Sequence, residues 1–257
     1  TLIADQLFTG GNFGYKFGGK SSIGNYVWND VTPNGNWTDE GVEFSTGIPN
    51  VALSLYLDMD GNGIFTPTLG NDLLLLQTTT DATGKYNFPI SANGNDFFVL
   101  VDPSNFLPGG ALEGYLFTNP QGVFYASENP TFVPTVDLVK IITDIDFGYV
   151  LPATLGGKVY DDLNGNGSFN AGEPPITSGV VITLSNGLTT TTDVNGVYTF
   201  TNLLPGSYTI VEGDPAGYTS TGDTQGSLTD NTIAVTLTQG QTSLNNNFFD
   251  ARPTIIA

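Results

Sequence analysis

Residues 191–200 read TTDVNGVYTF, and the chain repeats this stretch as TTDATGKYNF at residues 79–88. Each copy places Asp, then Asn or Thr, then Gly ahead of an alternating segment, which is typical of a tight turn that leads into a strand. Short segments rich in Val, Ile, Thr, Tyr and Phe, bounded by Gly, Asn, Asp or Pro, recur along the whole chain. Turn signals about every ten residues, without long helical patterns, predict an all-β protein built as β-sandwiches.

Further landmarks repeat besides this hairpin. YVWND at 26–30 aligns with KVYDD at 158–162. The hairpins lie 112 residues apart, whereas these two stretches lie 132 apart, so the first copy carries 20 extra residues between the landmarks. The extra residues fall around DMDGNGIFTPTLGND at 58–72. Further along the chain, two more pairs of stretches align: FVLVD at 98–102 with YTIVE at 208–212, and IDFGY at 145–149 with NNFFD at 246–250.

These repeats predict two tandem domains. The first is expected at residues 20–151 and contains the insertion, and the second is expected at residues 152–257. Residues 1–19 parallel the end of the first copy, so we predict that they form the terminal strand of a preceding repeat or a donor strand. We therefore expect the chain to be mature or internal sequence from a longer tandem array.

The charge balance limits what the protein does. Twenty-five acidic residues against six basic ones give a net charge of −19, which repels nucleic acid and anionic membrane surfaces alike. The chain has no Cys and no His, so it forms no disulfide, no Cys/His zinc site and no catalytic centre that depends on imidazole or thiolate. There is no apolar run long enough to insert directly into a membrane. The natural counter-charge for this chain is a cation.

The stretch YDDLNGNGSFNAGE at 160–173 has the pattern of an EF-hand type calcium loop. Ca²⁺ takes roughly six to eight hard oxygens, alternate side chains of such a loop converge on it, and Gly permits the sharp bend. Turn chemistry explains the Asn and Gly residues but does not demand a Glu at the end. We therefore predict a calcium site with Asp162, Asn164, Asn166, Ser168, Asn170 and Glu173 as its ligands.

Two further stretches repeat parts of this pattern. The insertion offers Asp58, Asp60, Asn62 and the carbonyl of Ile64, and Asp72 could close the site because no Glu stands at the twelfth position. The loop at 30–41 is a degenerate counterpart of 162–173, in which Thr32 replaces an Asn and the Glu arrives one residue early. Its candidate ligands are Asp30, Asn34, Asn36 and Glu40. The alternative for this loop is a solvated segment packed over Trp37.

Asp81 and Asp193 precede the glycines of the repeated hairpin. The first interpretation is a turn capped by the Asp side chain, followed by a strand whose Tyr enters the core. The second is that these carboxylates contribute to a neighbouring calcium site.

Three ordered motifs in the second copy carry a family resemblance: KVYDDLNGNGSFNAGEPPITSGVVITL, TTDVNGVYTFTNLLPGSYTIVEGDPAGYTSTGD and NNNFFDARP. They resemble the SdrD B-like repeats of serine-aspartate-repeat surface adhesins, which are related to Cna B-type domains. The resemblance implies Ig-like or prealbumin-like β-sandwiches that bind Ca²⁺ in the loop beginning at Asp162. It also implies a stalk or spacer in an extracellular protein.

The Cna B relationship raises the possibility of an internal crosslink. Many such domains join a first-strand Lys to a last-strand Asn or Asp, with a Glu promoting the amide bond. Lys158, Glu212 and either Asn247 or Asp250 stand in the corresponding regions. Lys158 directly precedes Val159, so only one of the two side chains can face the core. We expect Lys158 to be a surface lysine.

The leading functional hypothesis is a calcium-rigidified stalk module at the cell surface, without catalysis, whose partners are adjacent repeats of the same chain. An alternative is a self-assembling filament or surface-layer subunit, in which residues 1–17 complete the sheet of an identical subunit. A third is an adhesin domain that binds a host or matrix ligand through aromatic residues such as Phe124 and Tyr125. Carboxylate pairs for glycoside hydrolysis do not stand apart from the calcium pattern, so an enzyme is not expected.

Overall fold

The computed structural model describes residues 21–33, 47–67, 71–90, 94–118, 131–136, 141–142, 145–177, 179–226 and 230–253. Within these ranges the chain is all-β, apart from one 3-10 turn at Pro103–Phe106, so the predicted fold class is confirmed. No helix in the described part of the chain is long and apolar enough to span a membrane. The strand predicted at 1–19 and the aromatic pair Phe124 and Tyr125 lie outside the described residues.

The first sandwich consists of one mixed sheet and one antiparallel sheet, which enclose one core. One sheet has the order β4-β1-β9-β6, with β8 also pairing β1, and the other has the order β3-β2-β5-β7. The strands are β1 (Ser21–Asn29), β2 (Ala52–Asp58), β3 (Asp72–Thr79), β4 (Lys85–Ile90), β5 (Asn95–Val101), β6 (Leu116–Thr118), β7 (Thr131–Val136), β8 (Ile141–Ile142) and β9 (Phe147–Val150).

The second sandwich repeats this arrangement with its own core. Its sheets have the orders β13-β10-β18-β15, with β17 also pairing β10, and β12-β11-β14-β16. The strands are β10 (Ala153–Asp161), β11 (Val181–Leu184), β12 (Thr189–Thr191), β13 (Val197–Leu203), β14 (Gly206–Glu212), β15 (Thr219–Asp223), β16 (Thr232–Leu237), β17 (Thr242–Ser243) and β18 (Phe248–Ala251).

The alternating sequence pattern places one face of each strand in a core. On β13, Tyr198 and Phe200 are buried while Thr199 and Thr201 are exposed. The hydroxyl of Tyr198 donates to the carbonyl of Asn246 at 2.5 Å, and Tyr86 makes the equivalent bond to Ile145 at 2.6 Å. Each Tyr therefore fills its core with an aromatic ring while its one polar atom is satisfied.

The repeated hairpin motif forms the capped turn that its sequence predicts. Asp193 Oδ1 accepts hydrogen bonds from the N–H groups of Asn195 and Val197, each at 2.8 Å, and Asp81 plays the same role in the first copy. Gly196 has a φ of +69°, and a Cβ there would lie 2.7 Å from the Cβ of Pro175. Both the left-handed backbone and the close packing therefore require Gly at this position.

The insertion of the first copy lies in one hairpin. β2 and β3 are longer than β11 and β12, and their connection carries the loop between Asp58 and Asp72, which pair across the base of the hairpin. In the second copy β11 and β12 are joined by a short turn closed by a hydrogen bond from Leu184 N–H to the Leu188 carbonyl.

The register of the strands corrects one alignment made from sequence. Val51 and Val180 are equivalent, because the N–H of each donates to the hydroxyl oxygen of the Thr that precedes the hairpin Asp. Two residues along, Leu53 pairs with Val101 and Ile182 pairs with Glu212. Val101, and not Asp102, therefore occupies the position of Glu212. The alignment of FVLVD with YTIVE was wrong by one residue, and in a strand such a slip exchanges the two faces.

Candidate metal centres

The loop at 162–173 begins where β10 ends. Asp162 N–H donates to the Asp250 carbonyl of β18 at 2.8 Å, and Asp161 N–H donates to the Pro174 carbonyl at 2.9 Å. The two ends of the loop are therefore held against the sheet, and the loop itself projects from the end of the sandwich. Its glycines Gly165 and Gly167 have φ values of +68° and +71°, which permit the chain to curl back towards Asp162.

Asp162 is buried at the centre of this loop, with 1% of its surface exposed. Its Oδ1 accepts from Gly165 N–H at 2.8 Å, and its Oδ2 accepts from Gly167 N–H at 2.7 Å and from the Thr221 hydroxyl at 2.6 Å. Burial alone would raise the pKa of Asp162, but these hydrogen bonds outweigh it and lower the pKa. The carboxylate therefore stays ionised, as a calcium ligand must.

The alternate side chains of the loop form a chain of Asx-type turns. Asn164 Oδ1 accepts from Asn166 N–H at 3.0 Å, and Asn166 Oδ1 accepts from Ser168 N–H at 2.9 Å. The Asn170 amide donates to the Ser168 carbonyl at 2.6 Å. These bonds fix the side-chain oxygens of Asn164 and Asn166 against the backbone of the loop.

Glu173 closes the loop from its far end. It is 8% exposed, and its Oε2 accepts from Asn170 N–H at 2.7 Å. Its Oε1 is buried and receives no hydrogen bond. A buried carboxylate oxygen without a donor is costly unless a cation meets it. The donor set and this free oxygen therefore fit a calcium ion.

The loop at 58–72 has the same internal geometry. Asp58 Oδ1 accepts from Gly61 N–H at 2.8 Å and its Oδ2 from Gly63 N–H at 2.9 Å, as Asp162 does from Gly165 and Gly167. Burial opposes ionisation of Asp58, but these bonds, led by that of Gly63, lower its pKa. Asn62 Oδ1 accepts from Ile64 N–H at 2.6 Å, which continues the pattern.

Asp72 takes the role of the closing acid in this loop. The N–H of Thr66, the ninth residue of the loop, donates to Asp72 Oδ2, just as the N–H of Asn170 donates to Glu173. Asp72 Oδ1 is buried without a hydrogen bond, and oxygens of Asp58, Asp60 and Asp72 lie within 4.8 Å of one another. The structure thus brings together the three carboxylates named from the sequence.

The third candidate loop is described only at its start. Asp30 is fully buried, and its N–H donates to the Tyr149 carbonyl at 2.8 Å, the counterpart of the bond from Asp162 to Asp250. Asn34, Asn36 and Glu40 lie outside the described residues, so this site stays a prediction.

A family model described as the SdrD B-like domain matches residues 153–251, which span the second sandwich. The second sandwich is an SdrD B-like domain. The resemblance drawn from the motifs of this copy is thereby confirmed.

Two curated relatives extend the similarity to both sandwiches. Serine-aspartate repeat-containing protein D of Staphylococcus aureus (strain Newman) is 33% identical over 217 residues, 82% of this chain. Serine-aspartate repeat-containing protein F of Staphylococcus epidermidis (strain ATCC 12228 / FDA PCI 1200) is 34% identical over 210 residues, 79% of this chain. The chain spans only 15% and 11% of the length of these relatives.

Similar solved structures include the Bacillus anthracis TIE protein, with a TM-score of 0.34, 14% identity and coverage of 91% of this chain and 35% of that one. Another is GBS52, the minor pilin of Streptococcus agalactiae, with a TM-score of 0.33, 15% identity and coverage of 92% of this chain and 98% of that one.

In the SdrD B-like domain the candidate crosslink residues lie in two different places: Lys158 contacts Asn247, whereas Glu212 lies beside Asp250. Lys158 is half-buried on the face of β10 opposite to Val159, and its charge acts on Asp193. Its N–H donates to Asn247 Oδ1 at 2.9 Å. Glu212 and Asp250 instead meet inside the domain, across the two sheets. Val159 is fully buried in the core, so the Lys158 side chain, on the opposite face of β10, is not placed for amide formation with Asp250.

Sequence reasoning missed two features of this SdrD B-like domain. Thr221 on β15 donates to Asp162 from a distant part of the chain, and only the strand order reveals it. Asp214 joins Glu212 and Asp250 in one cluster of carboxylates, although its sequence context suggests only a turn. The Pro and Gly that follow Asp214 are ordinary loop signals, so no local pattern could have identified it.

Proposed function

We propose that the chain is a calcium-stiffened structural module, a stalk or spacer without catalysis, in an extracellular bacterial surface protein of the adhesin type. The relatives support the structural part of this proposal, since they are named serine-aspartate repeat-containing proteins and the similarity covers most of this chain. The partners of such a module are the adjacent repeats of the same protein.

The observation that carries the calcium proposal is shared by two loops. In each, the first Asp receives backbone N–H groups that keep it ionised, and the closing acid holds one buried oxygen without a donor. Those oxygens are Glu173 Oε1 and Asp72 Oδ1. A hard cation between the first and closing acids satisfies both, and it balances part of the net charge of −19.

The consequence for stability follows from linkage. Calcium that binds the folded loops and not the unfolded chain stabilises the fold by RT ln(1 + [Ca²⁺]/Kd), about 2.7 kcal/mol at a hundredfold excess over Kd. Loops of this kind in extracellular modules bind in the range of about 0.1 to 1 mM, which suits extracellular and not cytosolic calcium.

The stiffening is local and mechanical. Asp58 ends β2 and Asp72 begins β3, so one ion joins two neighbouring strand ends. In the second sandwich the ion joins the end of β10 to Glu173, and Thr221 attaches Asp162 to β15. Each ion therefore restrains a loop that would otherwise hold clustered negative charge.

The test is a calorimetric melt of the whole chain with 1 mM calcium and again with excess EGTA, with magnesium as a matched control for ionic strength and valence. We expect calcium to raise the melting temperature of both sandwiches and to protect residues 58–72 and 162–173 from protease. Identical melting in calcium, magnesium and EGTA would refute the calcium proposal and leave only the structural role.

One observation favours self-assembly as a second candidate. β3 is the edge strand of its sheet, and its four consecutive leucines, Leu73 to Leu76, are each between 37% and 48% exposed. An exposed apolar edge strand is a template for pairing with another chain. Replacing Leu74 and Leu76 with Thr should abolish any concentration-dependent association in sedimentation experiments, as should deletion of residues 1–17. A wild-type chain that stays monomeric at high concentration contradicts this candidate.

A further inference from the structure

A second cluster of carboxylates lies inside the second sandwich, apart from the loop side chains that form the 162–173 site. Glu212 ends β14 in one sheet, Asp250 lies on β18 in the other, and Asp214 follows β14 at the surface. Carboxylate oxygens of these residues lie within 4.8 Å of one another. Glu212 is 3% exposed and Asp250 is fully buried, whereas Asp214 is exposed.

The two buried carboxylates have no hydrogen-bond donor. Both oxygens of Glu212 and both oxygens of Asp250 are buried and unpartnered. This distinguishes them from Asp162, whose oxygens accept several N–H and O–H groups. Two buried carboxylates that face each other without donors need a counter-charge or a proton, because the desolvation of either charge is expensive.

The described residues around the cluster supply polar oxygen but no positive side chain. The Asn231 amide donates to Asp214 Oδ1 at 2.6 Å, and the oxygen of the same amide is buried without a hydrogen bond. Among the described residues, Lys158 lies on the outer face of β10, and Arg252 is exposed and lies 4.0 Å from Asp161. Neither cation forms an ion pair with Glu212 or Asp250.

The first sandwich shows that the fold does not need these acids. Val101 occupies the position of Glu212. Tyr149 occupies the position of Asp250, because its carbonyl accepts the N–H of Asp30 as the carbonyl of Asp250 accepts that of Asp162. Both counterparts are fully buried in the core of the first sandwich. An uncharged pair is thus sufficient for packing, and the second sandwich holds two acids there instead.

The electrostatics agree with an incomplete site. Burial, together with the negative charge of Asp250 and then of Asp214, raises the pKa of Glu212 to about 10. Burial raises the pKa of Asp250 to about 6; the neighbouring Glu212 carboxyl lowers it, and the charges of Asp214 and Asp161 add to the rise. A divalent cation between the two sheets opposes both shifts, since its attraction offsets the desolvation of the two carboxylates and replaces their mutual repulsion.

We propose that Glu212, Asp214 and Asp250 form an additional binding site for a hard divalent cation, Ca²⁺ in an extracellular setting. Glu212 and Asp250 supply the buried oxygens, Asp214 supplies an oxygen at the solvent-facing entrance, and the Asn231 side chain holds Asp214 in position. The donor set contains only oxygen, which selects calcium or magnesium over softer metals. An ion here ties the two sheets of the sandwich directly to each other.

This site shares no side chain with the loop sites, and the experiment separates them. The number of bound calcium ions is measured by native mass spectrometry and equilibrium dialysis on the whole chain, on Glu212→Gln/Asp250→Asn, and on Asp162→Asn. We expect Glu212→Gln/Asp250→Asn and Asp162→Asn each to bind one ion fewer than the wild type. A chain that carries all three substitutions should bind two fewer. If Glu212→Gln/Asp250→Asn binds as many ions as the wild type, the proposal is overturned, whatever the loop variant does.

Two further variants guard against an effect on folding. Asp214→Asn changes an exposed residue at the entrance and should weaken binding of one ion at least tenfold without unfolding the domain. Asp193→Asn is the matched control, because it removes one charge from the same sandwich and keeps the oxygen that accepts two N–H groups; it should leave every affinity unchanged. Unaltered calcium binding by Asp214→Asn counts against the site, as does an equal loss in both variants.

Discussion

Replacement of Glu173 by Gln tests whether the loop at 162–173 is a calcium site. Gln keeps the size of the side chain and an oxygen that can accept the Asn170 N–H bond of 2.7 Å. It replaces Glu173 Oε1, the buried oxygen without a donor, by an NH₂ group that cannot bind a cation. The metal-free domain should therefore lose about 1 kcal/mol or less, the difference between a charged and a neutral acceptor in one hydrogen bond.

The calcium-bound domain should lose much more. If calcium is present at a hundredfold excess over the wild-type Kd, binding contributes about 2.7 kcal/mol. Loss of the closing carboxylate should weaken binding on the order of a hundredfold, since affinity in such loops depends on ligand charge. The remaining contribution is then about 0.4 kcal/mol. The difference of about 2.3 kcal/mol corresponds to a fall in melting temperature of roughly 9 to 18 °C for a domain of this size.

Calorimetry of the whole chain measures this effect, because each sandwich has its own core and should give its own transition. Only the transition of the second sandwich should change. Glu113→Gln is the matched control, since Glu113 accepts a single N–H, from Gly109, in the first sandwich and belongs to no candidate site. A calcium-dependent shift of equal size in wild type and Glu173→Gln would refute the assignment of Glu173 as a ligand.

Three other outcomes follow from the same contacts. Asp72→Asn should remove the calcium-dependent shift of the first transition alone, and a change confined to the second transition would contradict its role as the closing acid. Thr221→Val removes the 2.6 Å bond to Asp162 Oδ2, so calcium affinity measured by titration calorimetry should fall roughly tenfold to a hundredfold; unchanged affinity would show that this bond does not orient the ligand. With calcium chelated, the second sandwich should become less stable as pH rises from about 4.5 towards about 10, because folded Glu212 holds a proton that the unfolded chain releases, and Glu212→Gln should flatten this slope in denaturant titrations at several pH values.

Much of the fold follows from local patterns. Alternation along VYTFTNL places Tyr198 and Phe200 in the core, and the Asp and Gly of the preceding turn set the hairpin, because side-chain direction in a strand has a period of two residues. The loop at 162–173 could also be recognised from its sequence. All its candidate ligands lie within one loop and follow the spacing of an EF-hand type calcium site.

The positions that the sequence left open depend on contacts between distant strands. The assignment of Asp102 to the place of Glu212 failed because β5 is apolar at every position from 97 to 101, so its sequence does not fix the register. Only pairing with β2 shows that Val101 is the equivalent residue. The closing role of Asp72 was only a suggestion, since an insertion breaks the twelve-residue spacing. The strand pairing of Asp58 with Asp72 shows that the two carboxylates lie side by side, and the calcium role of Asp72 stays a prediction.

The sequence by itself determined an all-β chain of two repeats and singled out the candidate loop ligands, because turns, strands and EF-hand type loops are encoded by neighbouring residues. Only the tertiary structure decided that Glu212 and Asp250 face each other across two sheets, that Asp214 lies beside them at the surface, and that Lys158 lies on the opposite face of its strand from the core. The physical reason is that burial and donor supply are properties of the packed sandwich. A carboxylate becomes a buried, unpartnered group only when the opposite sheet covers it without offering a hydrogen-bond donor.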